Sequence, residues 1–442
     1  MSRTPVDSGV VQGKIDELGI KSLTKSTIRE IVKLVNEIER ETGVKYARME
    51  IGVPGLKAPQ IAIDAEKKAL ESGIASIYPS IEGLSELKTE ISKFLKLFLN
   101  IDVHPKGCVP TVGSMMGGIA SFLVVNRNDS SKEGTLFIDP GFPVQKQQVK
   151  MLGHEYRSFD VYNFRGEKLR DKLESYLQGG KVSSILYSNP NNPSWICLTE
   201  EELKIIGELA TKYDVVVIED LAYFGMDFRK DYSKPGVPPY QPTVAKYCKD
   251  YILLISSSKV FSYAGQRIGM LVMSDSLFNR RYPDLLRYYN SDIFGHSMIF
   301  GALYALSAGV PQSTQAGLNA LLKAVNSGEY NYIEEVKEYE KKAAIMKKMF
   351  IENGFDIVYD TDIDSPIADG FYFTVSYPGM DGEEFMRELL NYGVSAISLT
   401  ITGSTHTEGV RACVSMIPRD LFPDLEIRLK QFNRDHSNRS IK

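Results

Sequence analysis

Between positions 24 and 41 the apolar residues Ile28, Ile31, Val32, Leu34, Val35 and Ile38 recur every three or four places, with charges between them. That period predicts an amphipathic helix, and Gly43 is placed to stop it. Further along the rhythm changes. Short β-rich apolar runs at 135–139, 184–188, 215–219 and 252–256 read as strands, with helical stretches such as 200–212 between them. Alternation of this kind predicts an α/β fold: a mostly parallel sheet with helices on both faces and ligands beyond the carboxyl ends of its strands. After Ala308 a long charged helix is expected at about 330–353, then shorter strands around 370–376 and 409–416. This second pattern predicts a smaller α+β unit. No internal repeat interrupts the series.

Composition narrows the picture. A chain of 442 residues, 43% apolar and 24% charged, can bury a large core. Its net charge of -4, without a long basic run, argues against a nucleic-acid partner and for small-molecule substrates. No window approaches the apolar length of a membrane helix, and residues 1–13 lack the apolar core of a leader, so the expectation is a cytoplasmic protein. Cys108, Cys197, Cys248 and Cys413 form no CxxC pair and the five histidines are scattered, so no metal site is expected. Gly9 to Lys14 has a superficial phosphate-loop look, but Ile15 stands where a hydroxyl is required.

The chemistry concentrates around Lys259. It ends Ser256-Ser257-Ser258-Lys259 behind the run Tyr251 to Ile255, with Arg267 eight residues on and Asp220-Leu221-Ala222-Tyr223 upstream. An amine for an aldehyde, a carboxylate for a ring nitrogen, a phenol for a ring hydroxyl, and cations with hydroxyls for a phosphate are what pyridoxal phosphate needs. Asn189 to Asn192, Asp220 and Lys259 all fall at carboxyl ends of the expected strands. Glu219 is adjacent to Asp220, but the Asp-x-Ala-Tyr spacing favours Asp220. Gly113, Ser114 and Met115 lie in a glycine-containing turn that would open a helix and offer amides to an anion.

With these motifs the chain, from about Gly52 to Arg411, resembles the fold type I pyridoxal-phosphate enzymes of the aspartate aminotransferase superfamily, class I/II. The resemblance implies a large coenzyme domain over 50–310 and a discontinuous small domain made of 1–49 and 311–442. It implies that Lys259 forms the internal aldimine and then moves the proton, that Asp220 holds the pyridine nitrogen cationic, and that Tyr223 and Asn192 contact the ring oxygen. Ser256 and Arg267 would complete the phosphate cup with Gly113, Ser114 and Met115. Phe142, in Asp139-Pro140-Gly141-Phe142-Pro143, would stack on the ring; the plain alternative is a core phenylalanine. Arg411, in Gly409-Val410-Arg411, would take the substrate α-carboxylate, with Gly52 letting backbone approach it. Where the family has glycine after Asn-Pro-Ser, this chain has Trp195, its only tryptophan, which would then shape the substrate side-chain pocket.

Two further residues follow from local likeness. Arg287, in Arg287-Tyr-Tyr-Asn-Ser291, resembles a reader of a distal substrate carboxylate, against the alternative of a surface arginine. Tyr78, in Tyr78-Pro-Ser-Ile-Glu-Gly83, resembles the tyrosine that reaches the phosphate in the other subunit of a homodimer, with sites built at the subunit interface; the alternative is a turn tyrosine serving its own chain. The implied reaction is transfer of an amino group between an L-amino acid and a 2-oxo acid. β-Elimination (a C–S lyase) or decarboxylation on the same scaffold is the second reading. A coenzyme-binding regulator would need a DNA-binding domain, and the segment before Gly52 is short for one.

Overall fold

The computed structural model describes residues 4–437, which divide into two compact units. The larger comprises 56–191 and 197–336; the smaller comprises 1–55, 192–196 and 337–442, described over 4–55, 192–196 and 337–437. The expected boundary at 310 differs from this division for a packing reason. Helix Gln312–Asn326 packs along helices Gln60–Glu71 and Ser85–Leu99 of the larger unit, burying Leu318, Leu321, Leu322 and Val325.

The larger unit is organised on seven strands: β1 Cys108–Thr111, β2 Gly134–Asp139, β3 Glu155–Asp160, β4 Val182–Ser188, β5 Val216–Leu221, β6 Tyr251–Ser256 and β7 Gly269–Met273. They lie in the order β1-β7-β6-β5-β4-β2-β3. Neighbours from β6 to β3 pair parallel; β7 runs antiparallel to both β6 and β1. Every residue of β4, β5 and β6 is buried, which is why Val216–Ile218 and Tyr251–Ile255 are continuous apolar runs and why none of the three strands alternates polar with apolar. Each buried Val, Ile or Leu contributes about 1.5–3 kcal/mol, so the centre of this sheet is the firmest frame available for a site.

Register then brings distant sequence to one edge. Thr111 faces Gly269, and Gly269 faces Ser256, so the end of β1, the start of β7 and the end of β6 share a row. Ser188 faces Asp220, and Asp220 faces Leu254, so Asp220 is a paired residue inside β5 instead of the first residue beyond it.

The smaller unit contains helix Ile28–Thr42, begun by a reciprocal cap. Thr27 Oγ1 accepts from the Glu30 amide while the Glu30 carboxylate accepts from the Thr27 amide, and Gly43 at φ 72° ends the helix. Its buried face is Ile31, Leu34, Val35 and Ile38. A four-stranded antiparallel sheet follows, built from β8 Asp356–Ile357, β9 Tyr372–Ser376, β10 Ile397–Ser398 and β11 Val410–Cys413 in the order β10-β11-β9-β8. Gly9 and Lys14 lie inside helix Ser8–Glu17. Among the described residues no helix is long and apolar enough to cross a membrane.

Candidate active site

The candidates fall into two groups, one in each unit. In the larger unit, Asp220 sits on β5 and is buried, 6% exposed. Its carboxylate accepts from Gln145 Nε2 at 2.7 Å and from the Ala222 amide at 3.1 Å. Burial pushes its pKa up to about 6, the two neutral donors pulling the other way. No cation of the described chain pairs with it. A buried carboxylate held only by neutral donors fits a protonated ring nitrogen, which would supply the missing positive charge. Tyr223, three residues on, is buried, and Lys259 lies half-buried in the short helix Ser257–Val260 directly after β6.

The phosphate group of candidates shares the edge that register predicts. Gly113 opens helix Gly113–Val125 at φ 69°, and a Cβ there would sit 2.5 Å from Arg267 Nη2. A Cβ on Gly269 would meet the Ser114 amide at 2.8 Å, so the two glycines let the helix start, the head of β7 and the guanidinium close together. Arg267 is exposed, its Nη1 donating to Ala264 O at 2.9 Å, and no carboxylate among the described residues pairs with it. Ser256 caps the next helix by accepting from the Ser258 amide at 3.1 Å. A helix N-terminus with free amides, a cation lacking an anion and a buried hydroxyl form a donor set suited to a phosphate. Phe142, half-buried, stands at the head of helix Pro143–Met151 just beyond β2 and is not a core residue.

In the smaller unit Arg411 is the centre. It is 2% exposed on β11, donates from Nη2 to Glu50 O at 2.9 Å and from Nη1 to Asn192 Oδ1 at 3.3 Å, and its Nε has no hydrogen-bond acceptor. The carboxylate of Glu50 is committed to Arg48 Nε at 2.6 Å and Ser395 Oγ at 2.5 Å. Strand pairing sets Thr374 opposite Arg411, which places Tyr372 diagonally beside it on the same face; its ring lies 4.3 Å from the guanidinium carbon. A Cβ on Gly52 would meet the Tyr372 hydroxyl at 2.3 Å, so glycine is required there by this tyrosine. Trp195 is fully buried at φ 63°, the left-handed region that glycine occupies without cost, with its ring 6.2 Å from that of Tyr372.

The structure leaves two candidates outside these groups. Tyr78 is 93% exposed, and Arg287 is exposed with its guanidinium 5.6 Å from the ring of Tyr288. Conversely, Gln145, Tyr372 and the Glu50 carbonyl were not singled out from the sequence. Gln145 carried a usable signal, a polar residue on the first turn of the helix after β2. Tyr372 became visible only through strand register.

Glu219 turns to other partners than Asp220 does. It accepts from Thr243 Oγ1 at 2.5 Å, the Val244 amide at 3.2 Å and Tyr187 Oη at 3.2 Å, and burial pushes its pKa up to about 7.

A mostly parallel sheet thus carries Asp220 at the end of β5, Lys259 just beyond β6, and the turn of Gly113, with Arg267 beside it, at the end of β1. The chain belongs to the aminotransferase class I and II family, whose sequence profile matches residues 48–421 and whose members use pyridoxal phosphate. It is 25% identical over 396 residues to a probable aspartate aminotransferase of Methanocaldococcus jannaschii, covering 88% of this chain and 92% of that protein. It is 22% identical to an LL-diaminopimelate aminotransferase of Natranaerobius thermophilus, covering 91% and 95%. Among solved structures, the alanine aminotransferase of Pyrococcus furiosus superposes with a TM-score of 0.75 over 95% of this chain and 99% of that one, at 20% identity.

Proposed function

We propose that the protein transfers an amino group between an L-amino acid and a 2-oxo acid, with Lys259, Asp220 and the residues named below for pyridoxal phosphate and Arg411 for the substrate α-carboxylate. The observation that carries this reading is the state of Arg411: a buried guanidinium with two neutral oxygens as its acceptors, an Nε–H with none, and no carboxylate partner among the described residues. Burying a cation without an anion costs several kcal/mol, and a substrate carboxylate is the partner such a site is built for. The coenzyme, when bound, supplies the carbonyl that takes up nitrogen and the ring that accepts an electron pair. Asp220 keeps the ring nitrogen protonated, Tyr223 and Asn192 serve the ring oxygen, and Phe142 covers a ring face. Gly113, Ser114, Met115, Ser256 and Arg267 hold the phosphate. Lys259 is the attachment point and carries the proton between the substrate α-carbon and the coenzyme. Gly52 supports the carboxylate site.

Borohydride reduction of the purified yellow protein, followed by peptide mass mapping, should place the coenzyme on Lys259; a label on another lysine overturns the assignment. Amino donors should each discharge the coenzyme absorbance, and 2-oxoglutarate or pyruvate should restore it. Arg287 is our candidate for a distal carboxylate, and equal activity on glutamate after Arg287→Ala removes it from that role.

We further propose a homodimer in which Tyr78 serves the partner's phosphate, a reading supported by its 93% exposure in the single chain. Coexpressed Tyr78→Ala and Lys259→Ala chains should then recover up to about half the activity in the mixed dimer, because one site escapes both lesions. A mixed dimer as inactive as its parents refutes the shared site. The scattered cysteine spacing suits a reducing compartment, and we place the protein in the cytoplasm.

A further inference from the structure

We infer that Trp195 is a positioning residue for the carboxylate site: through Tyr372 it fixes the plane of the Arg411 guanidinium. This rests on the proposed role of Arg411 and adds to it. A bulky residue in the left-handed region is strained and persists only where its surroundings hold it. Here they do. The indole lies on Gly370, where a Cβ would come within 2.0 Å of the ring, so position 370 is cleared of a side chain for it. Its edge meets Tyr372 at a ring separation of 6.2 Å and an interplanar angle of 70°. Tyr372 in turn lies under Arg411 at 4.3 Å and is bounded on its hydroxyl side by Gly52.

The consequence is a relay of contacts, the indole edge-to-face with the phenol ring and the phenol ring under the guanidinium. Among the described residues Arg411 makes two hydrogen bonds, one of them long at 3.3 Å, so the ring beneath it decides how the idle Nε–H and the outer edge face an incoming carboxylate. Trp195 is fully buried and occupied with Gly370 and Tyr372. Its influence should therefore fall on the α-carboxylate, which every amino and oxo acid shares, and not on the side chain that distinguishes them.

The test uses the coenzyme-loaded enzyme and two readouts. The first is calorimetric binding of 3-phenylpropionate, a carboxylate with no amino group; the second is steady-state kinetics with alanine, aspartate and phenylalanine. Trp195→Gly, which relieves the backbone and removes the ring, should weaken probe binding about tenfold and raise KM for every substrate by the same factor, leaving kcat within about twofold. Trp195→Phe should recover most of the loss. Gly370→Ala should reproduce the defect, because its methyl displaces the indole without deleting it. If Trp195→Gly does not fold, Gly370→Ala decides on the same readouts. A loss confined to one side-chain class makes Trp195 a pocket wall and overturns the inference, as does unchanged probe binding in Gly370→Ala. Wild-type enzyme that binds no carboxylate would instead sink the proposed role of Arg411 itself.

Discussion

Asp220 in the larger unit and Arg411 in the smaller are opposite cases of one situation, a buried charge with no counter-charge among the described residues. Asp220 is held by two neutral donors and Arg411 by two neutral acceptors. They differ in how the charge can be relieved. A carboxylate can take up a proton, and burial has moved Asp220 to about 6 so that it does so within reach of ordinary pH. A guanidinium keeps its charge, so only a bound anion or a ring face can compensate it. One site therefore responds to pH and to a cationic ligand; the other responds to an anionic ligand alone.

The largest effect expected from breaking this pairing is on turnover. Asp220→Ala should lower kcat by on the order of a thousandfold with the fold intact, since in the proposed role this carboxylate is the anion that keeps the ring nitrogen protonated. Circular dichroism and single-turnover absorbance separate folding from chemistry, and unchanged turnover would remove Asp220 from the role. Next comes Arg411→Met. Losing a charge-assisted grip worth about 1.5–3 kcal/mol should cut kcat/KM by roughly 10- to 150-fold for all amino acids. A saturating monocarboxylate, which should raise the wild-type melting temperature, should leave this variant's unchanged.

The two sites also differ in how far the sequence disclosed them. Asp220, Lys259 and Asn189 to Asn192 were legible because each lies at or just beyond the carboxyl end of a β-rich stretch, and those stretches correspond to β5, β6 and β4. The strand limits shifted by one to three residues: β5 takes in Asp220, β9 begins at Tyr372 where 370 was expected, and β11 ends at Cys413 where 416 was expected. Arg411 was legible as a charge on an apolar strand. Its surroundings were not, because Tyr372 reaches it by diagonal pairing and Trp195 reaches Tyr372 across Gly370, and neither relation leaves a periodic mark in sequence. Why this chain departs from the family glycine at 195 was equally hidden, since nothing in the sequence announces a positive φ.

A third, smaller effect sharpens the contrast in pH response. In coenzyme-free protein the Asp220 carboxyl titrates near 6 when folded and near its ordinary 3.8 when unfolded. Between these values the folded state holds a proton that the unfolded state has lost, so stability falls as pH rises from about 4 to about 6 and then levels. Asp220→Asn, with Gln145 turning its amide over, should stabilise the coenzyme-free protein by on the order of 2 kcal/mol at pH 8 and by nothing at pH 4. Urea midpoints at the two pH values check this; an equal gain at both would mean that the aspartate does not titrate as burial dictates.

Glu219 provides the last case, where the effect on turnover should vanish. It is adjacent to Asp220 on the same strand and equally buried, but it meets three donors of its own, Thr243, Val244 and Tyr187. Even so, burial outweighs them and pushes it to about 7, so between about 4.5 and 7 the folded chain again holds a proton that the unfolded chain has released. Glu219→Gln can satisfy the same neighbours: its carbonyl accepts from Thr243 and Val244, and its amide donates to the Tyr187 oxygen. The variant should therefore gain on the order of 2 kcal/mol at pH 8, gain nothing below pH 4.5, and retain wild-type kcat and KM. A turnover loss like that of Asp220→Ala would mean that charge at this depth acts on the site whichever way it points. Retained turnover would show that of two adjacent buried carboxylates only the one held by Gln145 and the Ala222 amide serves the chemistry, a distinction made by side-chain direction along a strand with period two.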